Sequence, residues 1–317
     1  MKTAHSSQLP KKCFYFNCPS HTSLQVNGGP SSPELGHIIR KGSYLRSSDS
    51  KRIGRFYCIS CKRSFSRGSY SSCFRQKKRR LNSSVFTLLN SCVSQRRIAL
   101  ILQTNRKTVV RKLLFLAGEA DKNQKKFLRS FESEQSQIME IQFDEMESFE
   151  RSKCLPLSIP LVVHPGSRRI LGFRVASMPA KGPLAAVSRK KYGPRADHRP
   201  RQTSELLSEL RSYIHPKAKI MTDQNPKYPN WLKPHFSDAT HVAVKGRRGC
   251  VVGQGELKKI GFDPLFDLNH TCAMIRANIN RLVRRTWCTT KRADRLAAHL
   301  AIFVQYHNTV LTKTVSA

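Results

Sequence analysis

The chain has 317 residues, of which 57 are Lys or Arg and 20 are Asp or Glu, so its formal net charge is +37. This length suits a catalytic domain with one or two small modules, and a hydrophobic fraction of 39% suits a folded protein rather than a disordered tail. No stretch approaches the roughly 20 apolar residues that span a membrane, and the first residues lack an apolar segment of signal-peptide type, so we expect neither a membrane protein nor a secreted one.

The positive charge is spread along the whole sequence, which predicts a polyanion as the binding partner. We expect the protein to lie in the cytoplasm, where cysteines remain reduced. A structural RNA-binding protein of ribosomal type is an alternative, but the length of the chain argues against it.

Two of the cysteine pairs have the spacing of metal ligands. A Cys-x4-Cys pair is followed about forty residues later by a Cys-x2-Cys pair that aromatic and basic residues flank. This pattern predicts a structural Zn²⁺ site in a small ribbon-like module over residues 1–75. Four buried or free cysteines are the alternative, and His21 is a possible substitute ligand. The four candidate ligands are Cys13, Cys18, Cys58 and Cys61.

A helical segment follows the basic connector RQKKRR. Apolar residues recur there at helical spacing, which predicts three short helices with Ser94 and Thr104 as N-caps. The stretch SQRRIALILQTNRKTVVRKLLFLA has the form helix, tight turn, helix, so we predict a helix-turn-helix DNA-binding region over residues 76–118. A plain helical linker is the alternative. The residues expected to face a DNA groove are Asn105, Arg106, Lys107 and Arg111.

The polar residues 119–137 are predicted to form a linker, and a new domain is predicted over residues 138–317. It starts with the strand IMEIQFDEMESF and a hairpin made of LSIPLVVHP and ILGFRVASM. A basic, Pro-rich insert at 178–202 is predicted to be an exposed loop. The helix TSELLSELRSYIH, the strands KIMTD and THVAVKG, and one long helix, a turn and a second helix complete the domain.

This order of elements is that of the ribonuclease-H-like fold. We therefore predict the α/β class, with a mixed sheet flanked by helices, preceded by the zinc-ribbon-like module and the helix-turn-helix region.

Two aspartates close strands in this predicted domain. Asp144 closes the alternating part of the first strand and Asp223 closes KIMTD, so parallel pairing would bring both carboxylates to one sheet edge. Phosphoryl transfer to DNA needs hard oxygen ligands for two divalent ions roughly 4 Å apart. A turn or helix cap is the alternative role for each aspartate. Other acidic residues surround Asp144 in the sequence. They are either further metal ligands or a solvated acidic face of the protein. They are Glu140, Glu145, Glu147 and Glu150.

Several pieces of the sequence resemble bacterial insertion-sequence transposases of the insertion-sequence-one type. These pieces are RFYCISCKRSFS, FDEMESF, MTDQNPKY, IRANINRLVRRTWCTTK and the closing YHN, so the resemblance touches nearly the whole chain. The Arg-Arg-Thr-x-Cys motif is its most specific part, whereas the zinc pair and the helix-turn-helix are shared with many DNA-binding proteins.

The resemblance implies a ribonuclease-H-like fold, Mg²⁺ or Mn²⁺, and a catalytic triad of two aspartates with a third acidic or amide residue. Asp144 and Asp223 match the first two. Asn269 stands where the best-known members have Glu, a departure that related subgroups share. An amide carbonyl can ligate Mg²⁺, although it brings no negative charge. The alternatives for the third residue are Glu256 and His270.

Basic residues near the carboxyl terminus are expected to bind DNA. Arg276 would lie two helical turns after Asn269 on the same face, where it could hold a phosphate of the transposon end. Arg281, Arg284 and Arg285 would form a basic helix face, with solubility alone as the alternative explanation.

Taken together, the sequence predicts a DNA transposase associated with the nucleoid of a prokaryote. Residues 1–118 would bind terminal inverted repeats of double-stranded DNA, and residues 138–317 would cleave and transfer strands with a divalent metal. Two ends must be held at once, so we expect a homodimer or a larger assembly. The alternatives are a ribonuclease-H-like nuclease or integrase, and an inactive DNA-binding regulator.

Overall fold

The computed structural model describes residues 9–19, 37–47, 50–245, 263–283 and 287–312. The chain divides into two compact units, Met1–Asn82 and Ser83–Ala317. None of the helices in these ranges combines the length and the apolar character that crossing a membrane requires.

The first unit contains a three-stranded antiparallel sheet in the order β1, β2, β3. Ile38, Phe56 and Phe65 form a small buried core together with cysteine side chains. Such a core is too small to stabilise a fold by apolar burial alone, so further cross-links are needed. The strands are β1 (Ile38–Arg46), β2 (Lys51–Cys58) and β3 (Arg63–Ser66).

Three helices follow, as the apolar spacing predicts, although the third is not short. Ser94 caps the second helix by accepting a hydrogen bond from the backbone N–H of Arg97, at 3.3 Å. The cap of the third helix is Asn105, which accepts from the N–H of Lys107 at 2.8 Å, so the prediction of Thr104 is wrong by one residue. The helices are α1 (Asn82–Leu89), α2 (Gln95–Ile101) and α3 (Arg106–Leu128).

The predicted linker 119–137 is instead largely helical. Helix α3 runs through it to Leu128, and two short 3-10 turns follow. Gln124 donates from Nε2 to the carbonyl oxygens of Ile170 and Leu171, at 3.0 and 2.9 Å, which ties the end of α3 to the hairpin. Polar composition reflects only the solvent side of a helix, while Ala120 and Leu128 are buried on its other side.

A mixed sheet lies at the centre of the second unit, in the order β6, β5, β4, β8, β9, with β7 paired to β5. Strands β4, β5 and β6 are antiparallel neighbours, whereas β8 runs parallel to both β4 and β9. The mixed α/β class is thereby confirmed. The strands are β4 (Ile138–Phe149), β5 (Pro156–Val163), β6 (Ile170–Phe173), β7 (Ala176–Ser177), β8 (Ile214–Thr222) and β9 (Thr240–Ala243).

Helices cover both faces of this sheet. The face with Ile141 and Phe143 packs on α5 and α6, and the face with Met146 and Ile159 packs on α7 and α8. The helices of this region are α4 (Leu184–Tyr192), α5 (Arg199–Leu210), α6 (Tyr228–Leu232), α7 (Phe266–Asn278) and α8 (Ala293–Tyr306).

Two predictions about this region are wrong. The insert 178–202 is not one exposed loop, because it contains α4 and the start of α5. The long helix predicted near the carboxyl terminus ends at Asn278, since Ile279 takes an extended conformation. Arg281 therefore lies beyond the helix and is largely buried, so it is not part of an exposed basic helix face. Arg284 and Arg285 lie outside the described residues.

Candidate functional site

The four cysteines predicted as zinc ligands form a cluster in the first unit. Their Sγ atoms all lie within 4.8 Å of one another. The Sγ atoms of Cys13 and Cys61 are 3.7 Å apart, and those of Cys18 and Cys58 are 3.6 Å apart. Four sulfur atoms at about 2.3 Å from a tetrahedral Zn²⁺ are about 3.8 Å from one another. The cluster can therefore hold a metal ion such as Zn²⁺.

The protonation of this cluster also suits a cation. Burial acts to raise the pKa of Cys58, but hydrogen bonds from the backbone N–H of Cys61 and from neighbouring thiols outweigh it and lower this pKa to about 6. Burial, assisted by hydrogen bonds with other cysteines, raises the pKa of Cys13 to about 12. The thiolate of Cys58 is thus favoured, while the raised pKa values of Cys13 and Cys61 favour their protonated forms. A bound cation would release those protons, since thiolates are the ligating form.

A second site is formed where two central strands of the sheet lie side by side. Phe143 of β4 pairs with Thr222 of β8 in the parallel ladder. Asp144 is the next residue within β4, whereas Asp223 directly follows the end of β8. Backbones of neighbouring strands are about 4.8 Å apart. The carboxylate of Asp223 also accepts a hydrogen bond from the N–H of Asn225, at 3.0 Å, which shapes the turn after β8. The structure thus brings the two predicted aspartates together.

Asp144 is held by a tyrosine that sequence reasoning missed. The hydroxyl of Tyr228, at the start of α6, donates to Oδ1 of Asp144 at 2.7 Å. Its ring is fully buried and packs against Phe143, with ring centroids 4.9 Å apart. The sequence places this tyrosine five residues after Asp223, in the piece MTDQNPKY. Its contact with Asp144 could not be predicted, because that contact depends on where α6 packs.

The electrostatic surroundings of Asp144 are balanced between opposing effects. Burial raises the pKa of this carboxyl, and the negative charge of Asp223 raises it further. The hydroxyl of Tyr228, the backbone N–H of Glu145 and the positive charge of Arg276 act in the opposite direction. The pKa of Asp144 is raised overall, so the described residues compensate the negative charge of its ionised carboxylate only in part. Adjacent carboxylates of this kind are able to ligate a divalent cation through oxygen.

Helix α7 is fixed over the same face of the sheet. The side chain of Gln142, two residues before Asp144, donates to the carbonyl oxygen of Pro264 at 3.0 Å and accepts from the N–H of Leu268 at 2.9 Å. Arg276 lies on this helix, and its charge acts on Asp144. Arg276 therefore lies close enough to Asp144 for its positive charge to lower the pKa of that carboxyl.

Asn269 lies on the exposed side of the first turns of α7. Its Nδ2 donates to the carboxylate of Asp263 at 2.9 Å. The contacts of the described residues do not join Asn269 to Asp144 or Asp223. Asp263 also accepts from the N–H of Leu265 at 3.0 Å, which gives it a capping role before α7 that sequence reasoning did not identify.

The alternatives to Asn269 as the third catalytic residue are His270 and Glu256. His270 packs against Phe266, with ring centroids 5.7 Å apart, and burial lowers its pKa. The charges that act on it are those of Arg168 and Asp267 rather than those of the aspartate pair. Glu256 lies outside the described residues.

The four glutamates near Asp144 in the sequence, three in β4 and Glu150 just after it, form ion pairs rather than a group of free metal ligands. Three pair with basic residues of the insert 178–202, and the fourth pairs with β8. The most buried pair joins Glu145 to Arg199, which also forms a bidentate pair with Asp197 at 2.9 and 2.7 Å. The pairs are Glu145 with Arg199, Glu147 with Lys181, Glu150 with Arg195, and Glu140 with Lys219.

The predicted DNA-facing residues of the helix-turn-helix region are only partly available. Arg106, Lys107 and Arg111 are exposed on α3. Asn105 is exposed, but its side chain is engaged as the helix cap and does not point freely outward.

No protein-family model matches the chain, and the curated proteins include no sequence that matches it.

Proposed function

We propose that the protein is a DNA transposase whose catalytic centre is the aspartate pair of β4 and β8. The observation that carries this proposal is that Asp144 and Asp223 directly follow Phe143 and Thr222, which are paired on adjacent parallel strands. The order β6, β5, β4, β8, β9, with β4 to β6 antiparallel and β8 and β9 parallel to β4, supports a ribonuclease-H-like domain, the fold that the sequence resemblance implies.

The chemistry of the donor set fits Mg²⁺ or Mn²⁺. Asp144 and Asp223 offer carboxylate oxygens, which hard cations prefer, and burial leaves Asp144 short of positive charge. When bound there, such ions supply positive charge at the attacking and leaving oxygens of a phosphodiester. The chain itself orients Asp144 through Tyr228 and excludes water on the side of the buried tyrosine ring.

Asn269 is our proposal for the third ligand. Because its amide nitrogen donates to Asp263, the orientation of the amide is defined, and Oδ1 forms no hydrogen bond within the part of the chain that the structure describes. An amide oxygen held in this way can ligate a divalent ion.

DNA binding is supported by the charge of the first unit and of α3. The described part of the first unit contains many Lys and Arg residues and no Asp or Glu. Basic residues in such number bind phosphates without regard to sequence, whereas selection of the ends needs base contacts. We assign these contacts to the exposed face of α3 with Arg106, Lys107 and Arg111, and we expect two copies to hold two ends.

The proposal is tested with the full-length protein and linear DNA that carries the two inverted repeats flanking its gene. We expect nicking at the ends and strand transfer in Mg²⁺ or Mn²⁺, and none on DNA with scrambled ends or without added divalent metal. End-specific binding without cleavage in any divalent metal would favour a DNA-binding regulator. Cleavage that ignores the ends would favour a nuclease.

Tyr228→Phe tests the role of the hydroxyl that holds Asp144. The variant keeps the ring packing but loses a donor to a carboxylate, so we expect cleavage to slow by about tenfold, the effect of one hydrogen bond to a charged group. The hydroxyl also lowers the pKa of Asp144, and the pH of half-maximal cleavage should therefore rise. Tyr213→Phe, in the same core, is the matched control. An unchanged rate and an unchanged pH profile would mean that Tyr228 acts through packing alone.

A further inference from the structure

A strongly basic cavity lies in the second unit, apart from the aspartate pair. Its volume is about 700 Å³, and it is bounded by α1, α2, the start of α3 and the segment that leads into α8. No Asp or Glu is among the described residues that line it. The basic residues that line it are Arg96, Arg106, Arg281, Lys291, Arg292 and Arg295.

Arg281 is the most informative of these residues. Its side chain is largely buried, and its Nε atom has no hydrogen-bond partner in the described part of the chain. Burial lowers the pKa of its guanidinium; the neighbouring Cys288 acts in the opposite direction, but no carboxylate does. A buried guanidinium without a counter-ion is strongly unfavourable, so its presence indicates that another molecule supplies negative charge.

Two neighbouring residues of α8 define the inner wall of the cavity. Nη1 of Arg295 is also buried without a partner among the described residues, although Nε of Arg295 lies 3.7 Å from the carboxylate of Asp294. His299 is fully buried, and burial together with the charge of Arg281 lowers its pKa to about 3. The histidine is therefore neutral at physiological pH. It contributes shape to the cavity but no charge.

We propose that this cavity binds a phosphate group, with Arg281 and Arg295 as its inner ligands. Guanidinium groups match the oxygen atoms of a phosphate in pairs, and a site that excludes water strengthens these bonds. Arg96 and Lys291 would add positive charge around the cavity, whereas Arg292 is paired with the carboxylate of Asp294 at 2.9 and 2.8 Å.

Two sources of the phosphate share this chemistry: the backbone of DNA and the free anion. Arg106 is the first residue of α3 and also lines the cavity, so a DNA strand on the exposed face of α3 would pass close to it. The assignment to DNA rests on the proposed function, whereas phosphate binding itself needs no metal and no cleavage.

The test uses the full-length chain without added divalent metal. Trp287 lines the cavity and is fully exposed, so in a Trp231→Phe background it is the sole tryptophan and reports on this cavity. We expect inorganic phosphate to change its fluorescence with saturation, relative to chloride at equal ionic strength. Arg281→Met should weaken this binding at least tenfold. The exposed Arg201, which pairs with Glu205, gives the matched control Arg201→Met, which should bind as the parent does.

Thermal unfolding gives a second, independent readout. In chloride, the melting temperature of Arg281→Met should be no lower than that of the parent, because the substitution removes a buried charge. In phosphate, the variant should lack the stabilisation that the anion gives to the parent. An equal phosphate response in Arg281→Met, or no response in the parent, would overturn the proposal. If Arg281→Met does not fold, the exposed Arg96→Met repeats the binding test, with several-fold weaker binding expected and unchanged binding as the contrary result.

Competition between inorganic phosphate and DNA for the parent protein identifies the source of the phosphate. A short duplex without terminal phosphates that displaces inorganic phosphate identifies the DNA backbone as the ligand. Saturable phosphate binding that the duplex leaves unchanged identifies the free anion.

Discussion

Asp144→Asn and Asp223→Asn are each expected to reduce cleavage at the DNA ends by about a thousandfold or more. Both changes keep the shape of the side chain and remove the negative charge that would hold the divalent ions, and groups that act together in catalysis lose nearly all activity when one is removed. Initial rates of nicking on end-carrying DNA in Mg²⁺ measure the effect. Asp238→Asn is the matched control, because Asp238 is exposed and, among the described residues, its carboxylate accepts a hydrogen bond from the neighbouring Ser237 alone. A variant that still cleaves at the control rate would place the catalytic centre elsewhere.

The same Asp144→Asn variant is expected to be more stable than the parent at neutral pH. Burial raises the pKa of Asp144, so the folded protein binds this proton more tightly than the unfolded chain does. The contribution of this group to stability is therefore fully present below the ordinary carboxyl pKa and is lost as the pH rises through the raised value. Removing the charge should increase the free energy of unfolding by about 1 kcal/mol, a common gain at functional sites.

This stability difference is measured by urea unfolding without divalent metal at several pH values. It should shrink towards acidic pH, where Asp144 of the parent is protonated as well. A variant that is less stable than the parent at neutral pH would show that ionised Asp144 has a structural role and is already compensated.

Removal of the metal from the cysteine cluster is expected to unfold the first unit. Its apolar core is small, and a structural Zn²⁺ bound to four thiolates contributes on the order of 10 kcal/mol to folding. Metal analysis should give one zinc ion per chain. A strong chelator or Cys58→Ser should then abolish the amide signals of β1 to β3 in nuclear magnetic resonance spectra. The melting of the second unit should remain, because it has its own core.

Cys73→Ser is the control for the cysteine substitution. Cys73 lies in the same unit, outside the cluster, and accepts a hydrogen bond from Asn82 at 3.3 Å. The Cys73→Ser variant should retain both the zinc ion and the folded first unit. A metal-free protein with an unchanged first unit would show that apolar packing suffices there. Acidification should also release the metal, since protons compete for the thiolates.

Local patterns predicted the elements whose periodicity is clear. The alternation in IMEIQFDEMESF gives β4 its observed bounds, Ile138–Phe149, because one side of a half-buried strand must be apolar. The two cysteine pairs also indicated their cluster, since the spacing of ligands along the chain is restricted by the metal geometry.

Segments whose structure depends on packing against another element of the fold were predicted wrongly. Residues 119–137 are polar on their solvent side and were expected to be a linker, but the buried side of α3 packs on α8. The basic insert 178–202 was expected to be an exposed loop, yet its Arg199 is buried; it pairs with Asp197 of the same insert and lies 4.0 Å from Glu145 of β4. A local pattern contains no information on such a partner.

The sequence by itself determined the mixed α/β class, the cysteine cluster and the position of Asp223 at the end of a strand, because these depend on periodicity and spacing along the chain. The expectation that Asp144 closes its strand is wrong, because β4 continues to Phe149 and pairs with β5 over that length. Only the tertiary structure decided that Tyr228 holds Asp144, that the glutamates of β4 are neutralised, and that Arg281 is buried in a basic cavity. These contacts join residues more than ten positions apart. Their energies come from burial and charge pairing, which exist only once the elements have packed.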